Sequence, residues 1–508
     1  MSVQDLGTKT KTGILYNIAA KVAGTGGQVV STIILARLLT PVDFGIVAAG
    51  FLVIGFATKF GEFGFHNGLI QRKEEISNKH INTLFILDFS FKLALWLLVY
   101  FFADPIAQGI SKDPEMLAYL PHILPVLASF MLLECFSTTP YTVLKRNMDF
   151  KTTSIIKTVD KFVAIFSSIA FAFAGFGVWS LIYSKLLSVA VAGILVMAKT
   201  KWVPKLQYDQ QASRELFRFG IMIFLRNLLR YGADKIDFFL VTRFLGAQAI
   251  GFYDKAFEFM RLPQKRITRA INKVIFSAFS RIQDEPERIR RAFKKLILAV
   301  SLISFPILAI MGLVAPMFVT LLLGDQWEPV AQPLQILCIA GILRSIDPFL
   351  NSLLTATGYV RSTVTRRAFE LVFLAVATWF GLQHGIIGVA VARVVAAIFV
   401  MILMVNIITK VTNVKWMDFL GAQLPAMLYS LLMIAAMYFT GVLCTTIWVV
   451  PEWVMVLLQP TVGVVTYIAL IFLIRFKNVD ALLDEIRSDT KKIRLKLRKK
   501  IPLMGRPK

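Results

Sequence analysis

FGIMIFLRNLLRYGADKIDFFLVTRF, residues Phe219–Phe244, is long and apolar enough to cross a bilayer, yet it carries Arg226, Arg230, Asp234, Lys235, Asp237 and Arg243. Ionised side chains are costly in hydrocarbon, so residues of this kind face a bundle interior or a water-filled path. Arg226, Arg230, Asp234 and Asp237 follow one another by four, four and three positions, which puts much of the charge on one helix face. Lys235 lies beside that face and Arg243 near the end of the span. Such a stripe needs other helices to cover it, so the segment predicts a polytopic bundle with a charged interior.

The rest of the chain supplies those helices. Of its 508 residues 56% are hydrophobic and only 17% charged, and apolar runs of about 20 residues recur along it. Spans are expected at 13–36, 44–68, 81–103, 119–143, 156–174, 178–198, 216–242, 248–274, 295–317, 331–356, 367–382, 386–408, 422–446 and 454–474. The first follows Lys9 and Lys11 and continues through small and polar residues to Arg37 without a cleavage site, so it reads as a retained span rather than a removed signal peptide. Cys135, Cys338 and Cys444 lie in separate apolar regions and give neither a metal motif nor a disulfide framework.

Lys and Arg number 56 against 31 Asp and Glu, a net charge of +25. The excess sits in short connections and in a tail, which reports membrane topology and excludes nucleic acid as the partner. Arg72, Lys73, Lys145, Arg146, Lys199, Lys201, Arg288, Arg290, Arg291, Arg361, Arg366 and Lys410 fall on one side. The opposite connections, Thr40–Phe44, Gly175–Gly177, Gly246–Ile250, Gln383–Gly385 and Val450–Trp453, contain no Lys or Arg. An even number of crossings with this bias places both termini in the cytoplasm. The tail from Arg475, with Lys491, Lys492, Arg494, Lys496, Arg498, Lys499 and Lys500, reads as an anchor beside anionic membrane lipids, with recruitment of a protein partner as the alternative. Asp480, Asp484 and Glu485 ahead of it suit a short amphipathic helix.

The chain also repeats itself. Arg37-Leu38-Leu39-Thr40-Pro41-Val42-Asp43-Phe44-Gly45 overlays Arg243-Phe244-Leu245-Gly246-Ala247-Gln248-Ala249-Ile250-Gly251, and Gly177-Val178 overlays Gly388-Val389, at offsets of 206 and 211 positions. Internal repeats are common in secondary transporters, whose sites lie between the repeated halves. The fold class expected is therefore an all-α polytopic membrane protein of about 14 transmembrane helices, two related six-helix lobes plus two C-terminal helices. The boundaries are an N-terminal lobe at 1–205, a second lobe at 206–415, an appended helix pair at 416–475 and a basic cytoplasmic tail at 476–508.

Charged residues recur inside other spans. Lys59 and Glu62, Asp88 and Lys92, Asp160 and Lys161, Lys255 and Glu258, and Arg344 and Asp347 are spaced as pairs, while Lys185, Glu370 and Arg393 stand singly. Each pair has two readings, a structural salt bridge or direct participation in transport. Arg261, Lys265, Arg266 and Arg269 form a second basic stripe, suited to a pyrophosphate headgroup or to anionic lipid. Tyr16, Tyr141, Tyr231 and Tyr253 can stack on sugars or serve packing. No catalytic constellation is visible: His66, His80, His122 and His384 are scattered, and neither an HExxH motif nor a Walker A loop occurs. Gly61-Glu62-Phe63-Gly64 belongs to a helix end rather than to a nucleotide loop. The chain reads as a non-enzyme without cofactor.

The Leu38-Leu39-Thr40-Pro41-Val42-Asp43-Phe44-Gly45 turn, the fourteen-span arrangement and the charged seventh span resemble a bacterial Wzx-type polysaccharide exporter, and the match runs over nearly the whole chain. It is nearest the colanic-acid or amylovoran branch of the polysaccharide transporter family, within the multidrug/oligosaccharidyl-lipid/polysaccharide exporter superfamily. The resemblance implies a flippase of the bacterial inner membrane. Its substrate would be an undecaprenyl-pyrophosphate-linked oligosaccharide, moved from the cytoplasmic to the periplasmic leaflet by alternating access, with a polysaccharide polymerase and glycosyltransferases as partners. It implies headgroup recognition by Arg226, Arg230, Lys235 and Arg344, with Lys59, Lys185, Lys255 and Arg393 as secondary candidates. Asp234, Asp237, Asp347 and Glu62 then either couple transport to a proton or sodium gradient or compensate charge. Two alternatives stay open: a small-molecule or drug exporter of the same superfamily, and a membrane glycan polymerase or ligase.

Overall fold

The computed structural model describes residues 24, 26–61, 66, 69, 77–446, 450–485 and 487–488; the side chains of 61, 211–212, 215–223, 225–226, 264–274, 276–277 and 360–364 lie outside that description. The described residues contain helices and connections and no strand. We label the helices α1 (Gly26–Leu38), α2 (Pro41–Gly61), α3 (Asn78–Phe101), α4 (Pro114–Arg146), α5 (Phe150–Phe173) and α6 (Trp179–Thr200). A long run, Gln210–Arg281, breaks at Gly246, where φ is 86° and ψ −172°, into α7 (210–245) and α8 (247–281). There follow α9 (Pro286–Leu323), α10 (Asp325–Ala356), α11 (Val360–Gly381), α12 (Gly385–Val411), α13 (Trp416–Thr446) and α14 (Glu452–Leu473). Among the described residues nine helices are long and apolar enough to cross a membrane, and the described residues form the expected all-α polytopic fold, with fourteen helices in these labels.

Several spans begin six or more residues earlier than expected, among them the seventh, ninth, eleventh and thirteenth, and three differences matter further. The fifth starts at Phe150, where Asp149 caps the helix by accepting from the Thr152 amide at 3.0 Å, so Asp160 and Lys161 stand in mid-helix instead of at its start. The eighth continues to Arg281. The tenth is discontinuous, with pieces Ala331–Arg344 and Asp347–Ala356, because Pro348 at the start of the second piece has no amide to continue the ladder.

The chain condenses into two compact units, one of Met1–Lys255, Leu322–Val330 and Arg367–Ala392, the other of Ala256–Leu321, Ala331–Arg366 and Arg393–Lys508. In the first unit the two repeated turns are held by reciprocal bonds. Arg37 Nε donates to the Leu322 carbonyl at 3.1 Å, and its counterpart Arg243 donates from Nη1 to the Gln108 carbonyl at 2.8 Å. Trp327 Nε1 donates to the Ala36 carbonyl at 2.8 Å. At the other turn Asp113 Oδ2 accepts from the Ala247 amide at 2.6 Å while Oδ1 accepts from Glu115. One carboxylate therefore caps the start of α8 and the start of α4, satisfying orphan amides of both. The first turn carries its own cap: Asp43 Oδ2 accepts from the Thr40 amide at 2.9 Å, and the Thr40 hydroxyl accepts from the Asp43 amide at 3.2 Å.

The second unit is built on two apolar cores. One gathers Ile297, Val300, Phe349, Leu353, Met404 and Ile408 from α9, α10 and α12 with Phe419 of α13. The other joins α9, α13 and α14 through Tyr429, Met433 and Tyr467, whose hydroxyls donate to the carbonyls of Ile474 and Leu302. Phe476, Val479, Leu482 and Leu483 pack against this second core, and Lys295 pairs with Glu485 at 2.6 Å. The short helix expected around Asp480 thus docks by its apolar side. Asp418 receives both Nε and Nη2 of Arg290, at 2.6 and 3.0 Å, and Lys294 at 3.2 Å.

Candidate functional site

In the first unit lies an open cavity of about 640 Å³ lined by residues of α1, α2, α5, α6, α7 and α8. Four lysines reach it, Lys161, Lys185, Lys235 and Lys255, against two aspartates, Asp160 and Asp254. The lining therefore carries an excess of positive charge, and its remaining wall is apolar or hydroxylic.

The ammonium groups are held over rings. Lys185 Nζ lies 4.8 Å from the Phe130 centroid, Lys235 Nζ 3.4 Å from Phe238 and Lys255 Nζ 4.2 Å from Phe44. A ring face attracts a cation without neutralising it. Lys161 is placed differently: its side chain lies against Gly24, where a Cβ would come within 3.0 Å of Lys161 Cδ. Asp160 Oδ1 is buried, and among the described residues no hydrogen-bond partner reaches it.

Hydroxyls complete the wall. Ser184 and Ser188, one helical turn apart on α6, donate to the carbonyls of Leu181 and Lys185 at 3.1 and 3.0 Å. Ser168 donates to Ile165 at 2.9 Å and Thr32 to Gln28 at 2.9 Å. Each proton is spent on the helix backbone, which leaves oxygen lone pairs as acceptors for a polar ligand. Tyr231 donates from its hydroxyl to the Leu52 carbonyl at 2.8 Å and lies where a side chain on Gly55 would sit. The absence of a Cβ at Gly55 admits the ring.

The cavity thus collects Lys185, Lys235 and Lys255 of the residues expected from the sequence. Arg230 points away: its side chain is 68% exposed and lies 3.8 Å from Asp234. Asp237 is buried and accepts from the Tyr253 hydroxyl at 2.7 Å. Lys59 sits in the last turn of α2 and does not line the cavity. Arg344 and Asp347 belong to the second unit, 3.9 Å apart across the break in α10. Arg393 is buried in that unit with its guanidinium 5.1 Å from the Phe257 ring. Glu62 and the side chains of Arg226, Lys265, Arg266 and Arg269 lie outside the described residues.

Asp254 and the serines were not singled out by sequence. The signal was present in Ser184-Lys185-x-x-Ser188, polar positions one turn apart in an otherwise apolar helix. Among the described residues no group of His, Cys, Asp and Glu is arranged to hold a metal ion.

A charged, hydroxyl-lined cavity between helices of both repeats, in a chain whose described residues include nine helices long and apolar enough to cross a membrane, defines a polytopic membrane protein with a polar site among its helices. The chain belongs to the polysaccharide biosynthesis protein family, whose model matches residues 34–332. It is 26% identical over 414 residues to the lipopolysaccharide biosynthesis protein WzxC of Escherichia coli K12, covering 79% of this chain and 81% of that one. To the teichuronic acid biosynthesis protein TuaB of Bacillus subtilis it is 28% identical over 334 residues, 65% and 68% of the two chains. Among solved structures, the lipid II flippase MurJ in an inward closed conformation superposes with a TM-score of 0.75 at 16% identity, over 91% of this chain and all of that one. That likeness is one of fold.

Proposed function

We propose that this protein is a flippase that moves an undecaprenyl-pyrophosphate-linked oligosaccharide from the cytoplasmic to the outer leaflet of the bacterial inner membrane, for surface or exported polysaccharide. The observation that carries the reading is the lysine excess of the cavity within a membrane-spanning fold. A pyrophosphate is a diffuse anion whose oxygens accept charge-assisted bonds. Lysine meets it as a mobile point charge, where the rigid fork of arginine would fix it in one geometry. A carrier has to release what it binds, and several lysines spread over α5, α6, α7 and α8 supply many weak contacts in place of one strong clamp. The hydroxyl oxygens of Ser184, Ser188, Ser168 and Thr32 add acceptors for sugar hydroxyls.

The orientation follows the charge of the connections. The turns at Thr40–Phe44, Gly246–Ile250 and Gln383–Gly385 carry no Lys or Arg, and we place them outside with both termini inside. The family's role in polysaccharide biosynthesis and the fold likeness to a lipid flippase agree with transport, and we assign the chain no bond-making step.

Reconstitution in liposomes with a defined lipid-linked oligosaccharide tests the proposal. Leaflet location of the substrate is followed by its accessibility to an added glycosidase. Wild type equilibrates the substrate between leaflets, and Lys185→Ala combined with Lys255→Ala slows this by about tenfold or more. Equal rates with and without protein, or movement only of soluble amphiphiles, overturn it.

A further inference from the structure

The connection from α6 to α7 leaves helix at Lys201 and is held to the start of α3. Asn82 donates from Nδ2 to Gln207 Oε1 at 3.1 Å and accepts from the Lys205 amide at 3.4 Å, and the Thr83 hydroxyl accepts from the Asp209 amide at 2.9 Å. Asn82 and Thr83 are buried, and Trp202 packs edge-on against Phe85 with 5.4 Å between ring centroids. The backbone of the connection is therefore fixed from its inner side.

Other side chains of the connection point away from the protein. Leu206 is 96% exposed, and Val203 and Tyr208 are exposed on either side of it. Lys199, Lys201 and Lys205 are interspersed with them and also exposed, and no acidic residue falls between Lys199 and Gln207. The α4–α5 connection has the same make-up, with Met148 and Phe150 exposed between Lys145 and Lys151. It lies at the same end of the first unit, because α5 and α6 pack together as a hairpin that turns at Gly175–Gly177.

Backbone conformation marks the same two places. Among the described residues the non-glycines with positive φ are Met148, at 56°, and Lys201, at 52°. A glycine would hold either turn without steric cost, whereas a β-carbon there is strained. Met148, 70% exposed, recovers little for that strain from contacts within the unit.

Depth and charge decide what covers these side chains. α6 has 22 residues, about 33 Å at about 1.5 Å per residue, so in crossing roughly 30 Å of hydrocarbon it brings Lys199 to the membrane surface. There an apolar layer meets a layer of headgroups. Single apolar side chains set among lysines match both layers, the first entering the acyl boundary and the ammonium groups reaching the phosphates. A protein partner would need a contiguous apolar patch, which this alternation does not make.

We propose that the α6–α7 connection is a docking surface for anionic lipid headgroups, with Lys199, Lys201 and Lys205 on the phosphates and Val203, Leu206 and Tyr208 in the acyl boundary. Because Asn82 and Thr83 hold its backbone, docking fixes this end of the unit to the leaflet surface.

Leu206→Cys carries the probe, since Leu206 packs against almost nothing and the native Cys135, Cys338 and Cys444 are buried. The full-length variant is spin-labelled in nanodiscs of phosphatidylcholine with or without phosphatidylglycerol. Its collisional access to oxygen, which concentrates in lipid, is compared with access to the neutral aqueous chelate Ni-EDDA. Oxygen access is expected to exceed Ni-EDDA access, and phosphatidylglycerol to lower Ni-EDDA access about twofold or more. Lys201→Gln combined with Lys205→Gln is expected to abolish that response to phosphatidylglycerol. Dominant Ni-EDDA access puts the side chain in water, and low access to both puts it against protein, a second copy included; either overturns the proposal. So does access that is the same with and without phosphatidylglycerol. No substrate is present, so the outcome is independent of the flippase reading.

Discussion

Gly45 and Gly251 face each other at the same place in the two repeated turns: a Cβ on Gly45 would overlap the Ala247 carbonyl, and one on Gly251 the Pro41 carbonyl. Each added Cβ would also come within 3.2 Å of the other glycine's amide nitrogen. Pro41 and Ala247 share the offset that relates Gly45 to Gly251 and Arg37 to Arg243, so the contact is symmetric in sequence and in space. The repeat visible as punctuation in the sequence is therefore a packing interface, with glycine required on both sides because backbone meets backbone.

Gly45→Ala and Gly251→Ala are each expected to destabilise the protein by about 1–3 kcal/mol, since a carbonyl cannot swing aside as a flexible side chain can. The double variant is expected to lose less than the sum, because both substitutions open the same contact. Thermal unfolding of the single and double variants in detergent measures both. Additive losses would show that the two glycines act independently.

Asp113 caps two helices, so its removal is felt in two places. Asp113→Ala is expected to cost about 1–2 kcal/mol at each helix start, and Asp113→Asn less, because its amide oxygen still accepts from one of the two amides. Hydrogen exchange reads this locally: the Ala247 amide, bonded at 2.6 Å, should lose protection in Asp113→Ala while amides in the middle of α12 keep theirs.

The helices were legible because apolar runs of spanning length dictate them, and the turn at Thr40–Gly45 because Thr, Pro and Asp fall in the order a helix start needs. The site was only half legible. Spacing on α7 groups Arg226, Arg230, Asp234 and Asp237 on one face, but spacing cannot say which face meets the cavity. Tyr231 and Lys235, each one residue beyond Arg230 and Asp234, do so, which turns Arg230 away by about one residue's rotation. Placing the start of α5 six residues late put Asp160 and Lys161 at a helix end and hid their position in the middle of a wall. Asp254 and Lys255 reach the same cavity only because Gly246 reverses the chain, a consequence of backbone conformation that composition does not reveal.

Arg230 and Lys235, five positions apart, should therefore behave differently. Lys235→Ala is expected to slow translocation of a lipid-linked oligosaccharide about tenfold, by removing a cavity cation. Arg230→Ala, which removes an exposed group loosely paired with Asp234, is expected to stay within about twofold of wild type. Rates measured at equal protein in the leaflet decide it. The opposite ranking would mean that the stripe, and not the cavity, meets the substrate.

Asp237 and Tyr253 offer the sharpest separation of a structural acid from a coupling acid. Both are buried without measurable exposure, and the Tyr253 hydroxyl donates to Asp237 Oδ2 at 2.7 Å across the α7–α8 reversal. Tyr253→Phe keeps the ring that packs edge-on against Phe238, 5.3 Å between centroids, and deletes only the donor. A hydrogen bond to a charged group in a buried setting is worth about 1.5–3 kcal/mol, and Tyr253→Phe is expected to lose stability in that range. Because neither residue lines the cavity, the substrate concentration for half-maximal transport should not change. Asp237→Asn, whose side-chain oxygen still accepts from Tyr253, should lose less stability than Asp237→Ala and keep the wild-type pH dependence of transport. A changed pH dependence in Asp237→Asn, with unfolding temperature intact, would instead assign this carboxylate to coupling.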